Sequence, residues 1–158
     1  MSSVCLKTDD QASELSDAWW QENVEAGRPS MLFAYSLGKA QRLLRGLDSS
    51  IGPIFAHGAI HPFLPVYEKC GVVFPKVQKP KEGSGEWAGS MIVAPPAVED
   101  AGWTRRFKGA SRGFASGWMA VRGARRRRNL DRGFVLSDHA DWSGLLEVIE
   151  RTGAECVK

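Results

Sequence analysis

The residues with the clearest chemical potential lie in one short stretch, 134–142, which reads Phe-Val-Leu-Ser-Asp-His-Ala-Asp-Trp. Its centre is His139, the only histidine in the C-terminal half, flanked by Asp138 and Asp141. An imidazole can donate or accept a proton near neutral pH, or bind a metal ion, and either carboxylate could fix its tautomer. The plainer alternative is that Asp141 is a helix N-cap and His139 a polar loop residue.

The pattern around this stretch predicts a strand before it and a helix after it. Apolar residues at 133–136 indicate the strand, and the helix is indicated by apolar residues at i, i+3, i+4 and i+7, namely Trp142, Leu145, Leu146 and Ile149. We expect that stripe to be buried. Open α/β folds place their sites at the carboxyl ends of strands, so we expect His139 at such an edge.

A second strand–turn–helix is predicted over 30–47. The apolar run 30–35 is typical of a buried strand, and Ser36 is the predicted N-cap of the helix. Lys39 falls in the first turn, where the helix dipole disfavours a cation. A bound phosphate would remove that penalty, held by the Ser36 hydroxyl, the amides near Gly38 and the Lys39 ammonium. The alternative is an ordinary turn whose lysine points to solvent.

The rest of the chain alternates in the same way. Further strands are predicted at 53–56, 90–94 and 114–121, helices at 8–26, 59–69 and 98–107, a loop at 72–86 and a last strand at 155–158. Strands that alternate with helices predict an α/β fold with a mostly parallel sheet and helices on both faces.

Positive charge is concentrated in one segment. The net charge is only +3, but residues 103–132 hold ten Lys or Arg against one acid, Asp131. Five of the ten are Arg122, Arg125, Arg126, Arg127 and Arg128. This segment predicts an anionic partner, with nucleic acid first, contacted through its phosphates rather than its bases. A solvated basic loop is the alternative.

Composition excludes several classes of protein. The three cysteines are widely spaced and form no Cys-x-x-Cys pair, which argues against a disulfide framework or a zinc knuckle and favours a reducing cytoplasm. No apolar run is long enough to cross a membrane, and the N-terminus lacks the apolar core of a signal peptide. Nothing in the sequence indicates an oligomeric state.

Three stretches together resemble one known family. Ser137-Asp-His-Ala-Asp141 after an apolar strand resembles the second signature motif of the β-CASP branch of the metallo-β-lactamase nucleases. The stretch 32–42 and the stretch 115–119, with the arginine run after it, fit the same family. As a set they are most similar to bacterial exonucleases associated with ATP-dependent DNA ligases, described as mRNA 3′-end processing factor-like. The resemblance extends over about residues 19–157.

That resemblance implies a zinc-dependent hydrolase of phosphodiester bonds in DNA or RNA, acting in DNA repair or RNA processing, with an ATP-dependent DNA ligase as a partner. His139 would be the catalytic histidine, with Asp141 orienting it or capping its helix, and Asp138 beside them. The residues expected to contact the nucleic-acid backbone are Ser36, Gly38, Lys39, Gln41, Arg122, Arg125 and Arg126.

The family's His-x-His-x-Asp-His metal cluster is absent, since the only histidines are His57, His61 and His139. We therefore expect a partial sequence that lacks the N-terminal metal-binding half, with few zinc ligands of its own and little activity alone. Residues 1–120 would be the β-CASP-like region, and 121–158 the basic connection, strand and helix that return to the metallo-β-lactamase half. Two alternatives remain open, a non-catalytic nucleic-acid-binding module and a small α/β enzyme that binds a phosphorylated metabolite at 36–39.

Overall fold

A computed structural model describes residues 9–80, 85–121, 130–139 and 142–153. Six strands form one sheet in the order β3-β2-β4-β1-β5-β6, and every neighbouring pair is parallel. The strands are β1 Ser30–Phe33, β2 Ile54–Ala56, β3 Val77–Gln78, β4 Met91–Ala94, β5 Ser111–Ala115 and β6 Arg132–Phe134. The α-helices are α1 Asp9–Glu25, α2 Lys39–Gly46, α3 Leu64–Lys69 and α4 Trp142–Thr152. The predicted α/β class and parallel sheet are confirmed.

The sheet buries both of its faces. Side chains alternate along β1, so that Leu32 packs under α1 and α2 while Met31 and Phe33 join the core on the opposite face. Helices α1, α2 and α3 all pack on the first face. The second face is covered by short 3-10 helices at Pro96–Val98 and Gly102–Arg106, where one α-helix over 98–107 was predicted. Gly102 in the middle of that segment is a weak α-helix former.

Polar contacts join α1 to the first residues of β1 and β5. The Trp19 indole N–H donates to the Ser111 hydroxyl at 3.2 Å, and the Asn23 side-chain amide donates to the Ser30 hydroxyl at 2.8 Å. Each of these buried polar groups of α1 thus has a hydrogen-bond partner on a strand, so its burial does not leave it unsatisfied. The helix ends where predicted, because Gly27 adopts a φ of 66° that terminates it.

Several predicted boundaries were wrong. Strand β5 covers Ser111–Ala115 rather than 114–121, and Gly117–Ala120 is a 3-10 helix that turns the chain away from the sheet. The short edge strand β3 lies inside a segment predicted to be a loop. Strand β6 follows residue 120, where a division of the chain was predicted, and pairs with β5 in the same sheet; the division itself stays a prediction. The predicted strand at 155–158 lies outside the described residues.

Helix α4 forms as predicted, but its apolar stripe is not buried. Trp142 is 72% exposed, and Leu145 and Leu146 are exposed beside it. Within the described part of the chain, no residue of α4 is buried. The periodicity correctly predicted which side chains share one face. It could not predict whether another element of the chain covers that face.

The described helices are short or polar. The longest, α1, has 17 residues and a negative mean hydropathy. Among the residues that the structure describes, no helix has the length and apolar character needed to cross a membrane.

A carboxylate pair lies where α1 meets the end of α2. The half-buried Asp17 carboxylate accepts the backbone N–H of Asp48, with both oxygens 3.3 Å from the nitrogen. Burial raises the pKa of Asp17 from 3.8 to about 6; the Asp48 N–H opposes this rise, and the Asp48 charge adds to it. The native state therefore holds the Asp17 proton more tightly than the unfolded chain does.

Replacing Asp17 by Asn should stabilise the fold at neutral pH but not in acid. Because the folded pKa is raised, the wild type loses stability as pH rises from about 4 to about 6 and stays at the lower level above that. Asn keeps the acceptor for Asp48 without the charge. Allowing for solvent screening, we expect the free energy of unfolding to rise by about 1 kcal/mol near pH 7.5 and to be unchanged near pH 3.5.

Urea unfolding at both pH values measures this effect. The control is Glu14→Gln on the exposed face of the same helix, which should change stability at neither pH. An equal gain for Asp17→Asn at both pH values would contradict the burial of its charge.

Candidate functional site

The sheet has a switch point between β1 and β5. From β1 the chain passes through α2 on the first face and continues to β2, on one side of β1. From β5 it turns into the 3-10 helix whose Met119 packs on the second face, and it continues to β6 on the other side. Neighbouring strands whose connections leave in opposite directions open a crevice at their carboxyl ends, where α/β sheets bind ligands.

A cleft of about 500 Å³ lies at this crevice. It is lined by residues that follow the three adjacent strands β1, β5 and β6, namely Tyr35, Lys39, Ser116, Gly117, Trp118, Ser137, Asp138 and His139. The fold thus brings together the two stretches that the sequence marked independently, around Lys39 and around His139. The lining supplies hydroxyl groups, an imidazole, an ion pair and two exposed aromatic rings.

An ion pair forms part of the cleft lining. The Lys39 ammonium is 2.9 Å from the Asp138 carboxylate, and the two side chains are 6% and 39% exposed. The hydrogen bond from Lys39 holds the pKa of Asp138 below its ordinary value of 3.8, so that the carboxylate stays ionised. An anion was expected beside Lys39 to offset the helix dipole. In the structure the chain supplies that anion itself.

The predicted phosphate cradle at the start of α2 is altered in two ways. Ser36 does not cap the helix, because the N-cap position is Gly38, with no side-chain cap bond. The backbone N–H groups of Lys39 and Ala40 already donate to carbonyl oxygens of the preceding turn, at 3.0 Å each. Gly38 has a φ of 78°, a conformation that favours glycine, and an added Cβ would lie 3.7 Å from Asp138 Oδ2.

Two further residues of α2 hold the site in place. The Arg42 guanidinium donates to the Ser137 carbonyl oxygen at 2.9 Å. Lys39 and Arg42 therefore both bind the loop that carries His139. Gln41 is buried, and its amide donates to the Ser36 carbonyl oxygen at 2.8 Å. The structure therefore places Gln41 beneath the turn. Arg42 was not among the predicted site residues, although its i+3 spacing from Lys39 indicates a shared helix face.

His139 lines the cleft and is exposed to solvent. Its backbone N–H donates to the Ser137 hydroxyl at 3.2 Å, which orders the turn. Within the described residues, the Asp138 carboxylate faces Lys39 and makes no hydrogen bond with the His139 ring. Asp141 and the arginines Arg122, Arg125 and Arg126 lie outside the described residues, so their expected roles stay predictions.

The described residues do not fit a zinc site. Across 9–80, 85–121, 130–139 and 142–153, no group of three or more His, Cys, Asp or Glu side chains could hold a metal ion. His57 is engaged elsewhere, because its Nδ1 accepts the Ala59 N–H at 3.0 Å and its ring packs edge-on against Trp103 at 4.5 Å. Burial lowers the pKa of His57, and the charges of Arg106 and Lys79 add to this. We derive no chemical step through zinc.

Replacing Asp138 by Asn should destabilise the fold more than replacing Lys39 by Met. The first change leaves a buried ammonium without a counter-ion, whereas the second leaves a carboxylate that water still reaches. We expect losses of about 1–3 kcal/mol for Asp138→Asn and smaller ones for Lys39→Met. Because the pKa of Asp138 is lowered, the pair's contribution is present above about pH 4 and is lost as pH falls through the folded pKa.

A double-mutant cycle in urea unfolding near pH 7 isolates the Lys39–Asp138 coupling. The matched control is Glu147→Gln, which breaks the exposed Arg151–Glu147 pair of α4 at 3.5 Å and should change stability by no more than about 0.5 kcal/mol. A cycle with zero coupling would show that the cleft does not depend on this pair.

Comparison with known proteins adds one specific likeness. No protein-family model matches the chain. A curated protein described as a probable DNA ligase, from Opitutus terrae, is 35% identical over 127 residues. These residues make up 80% of this chain but only 12% of that protein. The chain therefore spans about an eighth of the length of the curated relative that it matches, and the similarity extends over most of the chain rather than over one short motif.

Proposed function

We propose that this chain is the nucleic-acid-binding part of a metal-dependent nuclease of the metallo-β-lactamase/β-CASP type, an exonuclease whose metal ligands lie elsewhere in a longer protein. The cleft at the ends of β1, β5 and β6 receives the scissile phosphodiester. The observation that carries this proposal is that His139 shares one cleft with Lys39 and several hydroxyl groups, at the switch point of a parallel sheet.

Two further observations support nucleic acid as the partner. The relative that this chain resembles is described as a probable DNA ligase, a name that associates that protein with DNA. The chain also has its highest density of positive charge in residues 103–132, a segment that contains β5 and leads in sequence to the first residue of β6. We propose DNA as the substrate, with RNA as the alternative that a binding assay must compare.

The residues of the cleft suit one part of a hydrolysis, the protonation of the leaving group. When water attacks phosphorus, a new P–O bond forms, the bond to the leaving nucleotide breaks, the attacking water gives up a proton, and the leaving oxygen gains one. In this proposal His139 donates that proton, because its side chain lines the cleft and its backbone N–H donates to the Ser137 hydroxyl. Lys39 and Asp138 neutralise one another, so their role is to position the loop rather than to attract phosphate.

Replacing His139 by Ala in the longer protein that contains this chain should lower turnover far more than binding. Loss of a general acid reduces kcat by about 10²–10⁴-fold, and we expect the Kd for a DNA oligonucleotide to change by less than about threefold. Single-turnover cleavage of a labelled oligonucleotide and fluorescence anisotropy measure the two quantities. His61→Ala is the matched control, because that histidine lies outside the cleft.

Comparable losses of turnover and binding would make His139 a structural residue and would contradict the proposal. Binding that weakens steeply with salt in the longer protein, without any cleavage, would favour the non-catalytic module instead. Efficient metal-dependent cleavage by the 158-residue chain alone would contradict the proposed location of the metal ligands outside it.

A further inference from the structure

The cleft contains an aromatic side chain that the proposed hydrolysis leaves unused. Trp118 lines the cleft and is 74% exposed, although tryptophan is one of the largest apolar side chains in proteins. Tyr35, at the end of β1, lines the same cleft and is 52% exposed. Two exposed rings beside polar groups suit a ligand that has both an apolar face and polar edges.

We propose that Trp118 stacks against an unpaired nucleobase, so that the cleft takes a single-stranded end rather than the interior of a duplex. This inference rests on the proposed function and adds the residue that selects the substrate. Base–aromatic stacking tolerates any base, because every base has a flat π-face. In the interior of a duplex those faces are covered by neighbouring base pairs, and a terminal pair exposes only its outer face, whereas an unpaired nucleotide can present its base freely to Trp118.

The backbone of Trp118 is held firmly, although its side chain is exposed. The buried Ser116 hydroxyl accepts the Trp118 N–H at 3.3 Å, and the Val121 N–H donates to the Trp118 carbonyl oxygen at 3.0 Å. Gly117 packs against the His139 loop, where an added Cβ would lie 3.4 Å from the Ser137 Cβ. Because the turn that carries the ring is already ordered, a ligand that stacks on the ring does not have to order the backbone as well.

The groups around Trp118 suit the rest of a nucleotide. Tyr35 is steadied by the Lys39 ammonium, which lies 5.3 Å from the ring centroid. His139 and Ser137 offer hydrogen-bonding groups beside the aromatic surface. An aromatic platform next to donors for the backbone is the arrangement found in sites for single-stranded nucleic acid. A protein partner would instead favour a wider apolar surface, such as the exposed stripe of α4.

The test compares three fluorescein-labelled DNA probes with the protein. The first is a short single strand. The second is the same single strand with abasic sites in place of its terminal nucleotides, and the third is a blunt duplex of the same sequence. We expect the wild type to bind the intact single strand at least fivefold more tightly than the abasic strand, although both carry the same phosphates. Trp118→Ala should weaken binding of the intact strand by about five- to a hundredfold and abolish the preference over the abasic strand.

Three variants make the result specific. Trp142→Ala removes a tryptophan of similar exposure, 72%, that lies outside the cleft, and it should leave binding unchanged. Trp118→Phe should restore most of the affinity, whereas Trp118→Leu should not, because only the first keeps an aromatic face. Far-ultraviolet circular dichroism and melting temperatures confirm that each variant is folded.

Two outcomes overturn the inference and differ from one another. If the wild type binds all three probes equally, or if Trp118→Ala and Trp142→Ala behave alike, nucleic-acid binding survives but Trp118 is not a stacking residue. If the wild type binds none of the probes at low salt, the proposed function fails, and this inference fails with it.

Discussion

The ion pair between Lys39 and Asp138 is the contact on which the cleft depends. It joins the first turn of α2, which follows β1, to the loop that follows β6. Strand β5 lies between those two strands, so the pair reaches across about two strand spacings, about 10 Å. With the Arg42 contact to Ser137, it holds the loop that presents His139. Because the Lys39 ammonium is almost completely buried, it depends strongly on the Asp138 carboxylate as its counter-ion.

The pair also determines the charge of the cleft. Lys39 and Asp138 cancel, so the lining carries little net charge when His139 is neutral. In the proposed function, attraction for a phosphate backbone would then come mainly from the basic segment 103–132, whose central arginines lie outside the described residues. Different residues would thus attract the phosphates over a long range and contact the nucleotide in the cleft. Stacking on Trp118 would add affinity that depends little on salt, in contrast to the phosphate contacts.

The sheet explains why such distant segments meet. In a wholly parallel sheet all carboxyl ends lie at the same edge, so turns that follow β1, β5 and β6 become neighbours regardless of their separation in sequence. Close packing on the first face holds those strands together. Gly113 of β5 leaves room for the Trp19 and Phe134 rings, each of which has an atom 3.0 Å from where a Cβ would stand. Their ring centroids are 5.5 Å apart in an edge-on contact.

Local patterns in the sequence determined the kind of fold and the position of the two chemical stretches. Apolar runs, alternation with helices, and a polar cluster after a strand sufficed to predict a mostly parallel sheet, to place His139 at its carboxyl edge and to place Lys39 in the first turn of a helix. These features depend on neighbouring residues and on rules that hold for all parallel sheets. The helical periodicity that predicted α4 also depends only on neighbouring residues, and the structure confirms the helix.

Only the tertiary structure decided which groups pair and which are exposed. Asp138 pairs with Lys39 rather than with His139, Gln41 lies beneath a turn, and Trp142 is exposed where the pattern favoured burial. Trp118, assigned to a strand by its apolar neighbours, instead stands in the cleft wall. Pairing and exposure depend on residues far away in the chain, because a counter-ion or a covering surface is supplied by another element. Periodicity along one segment carries no information about that partner.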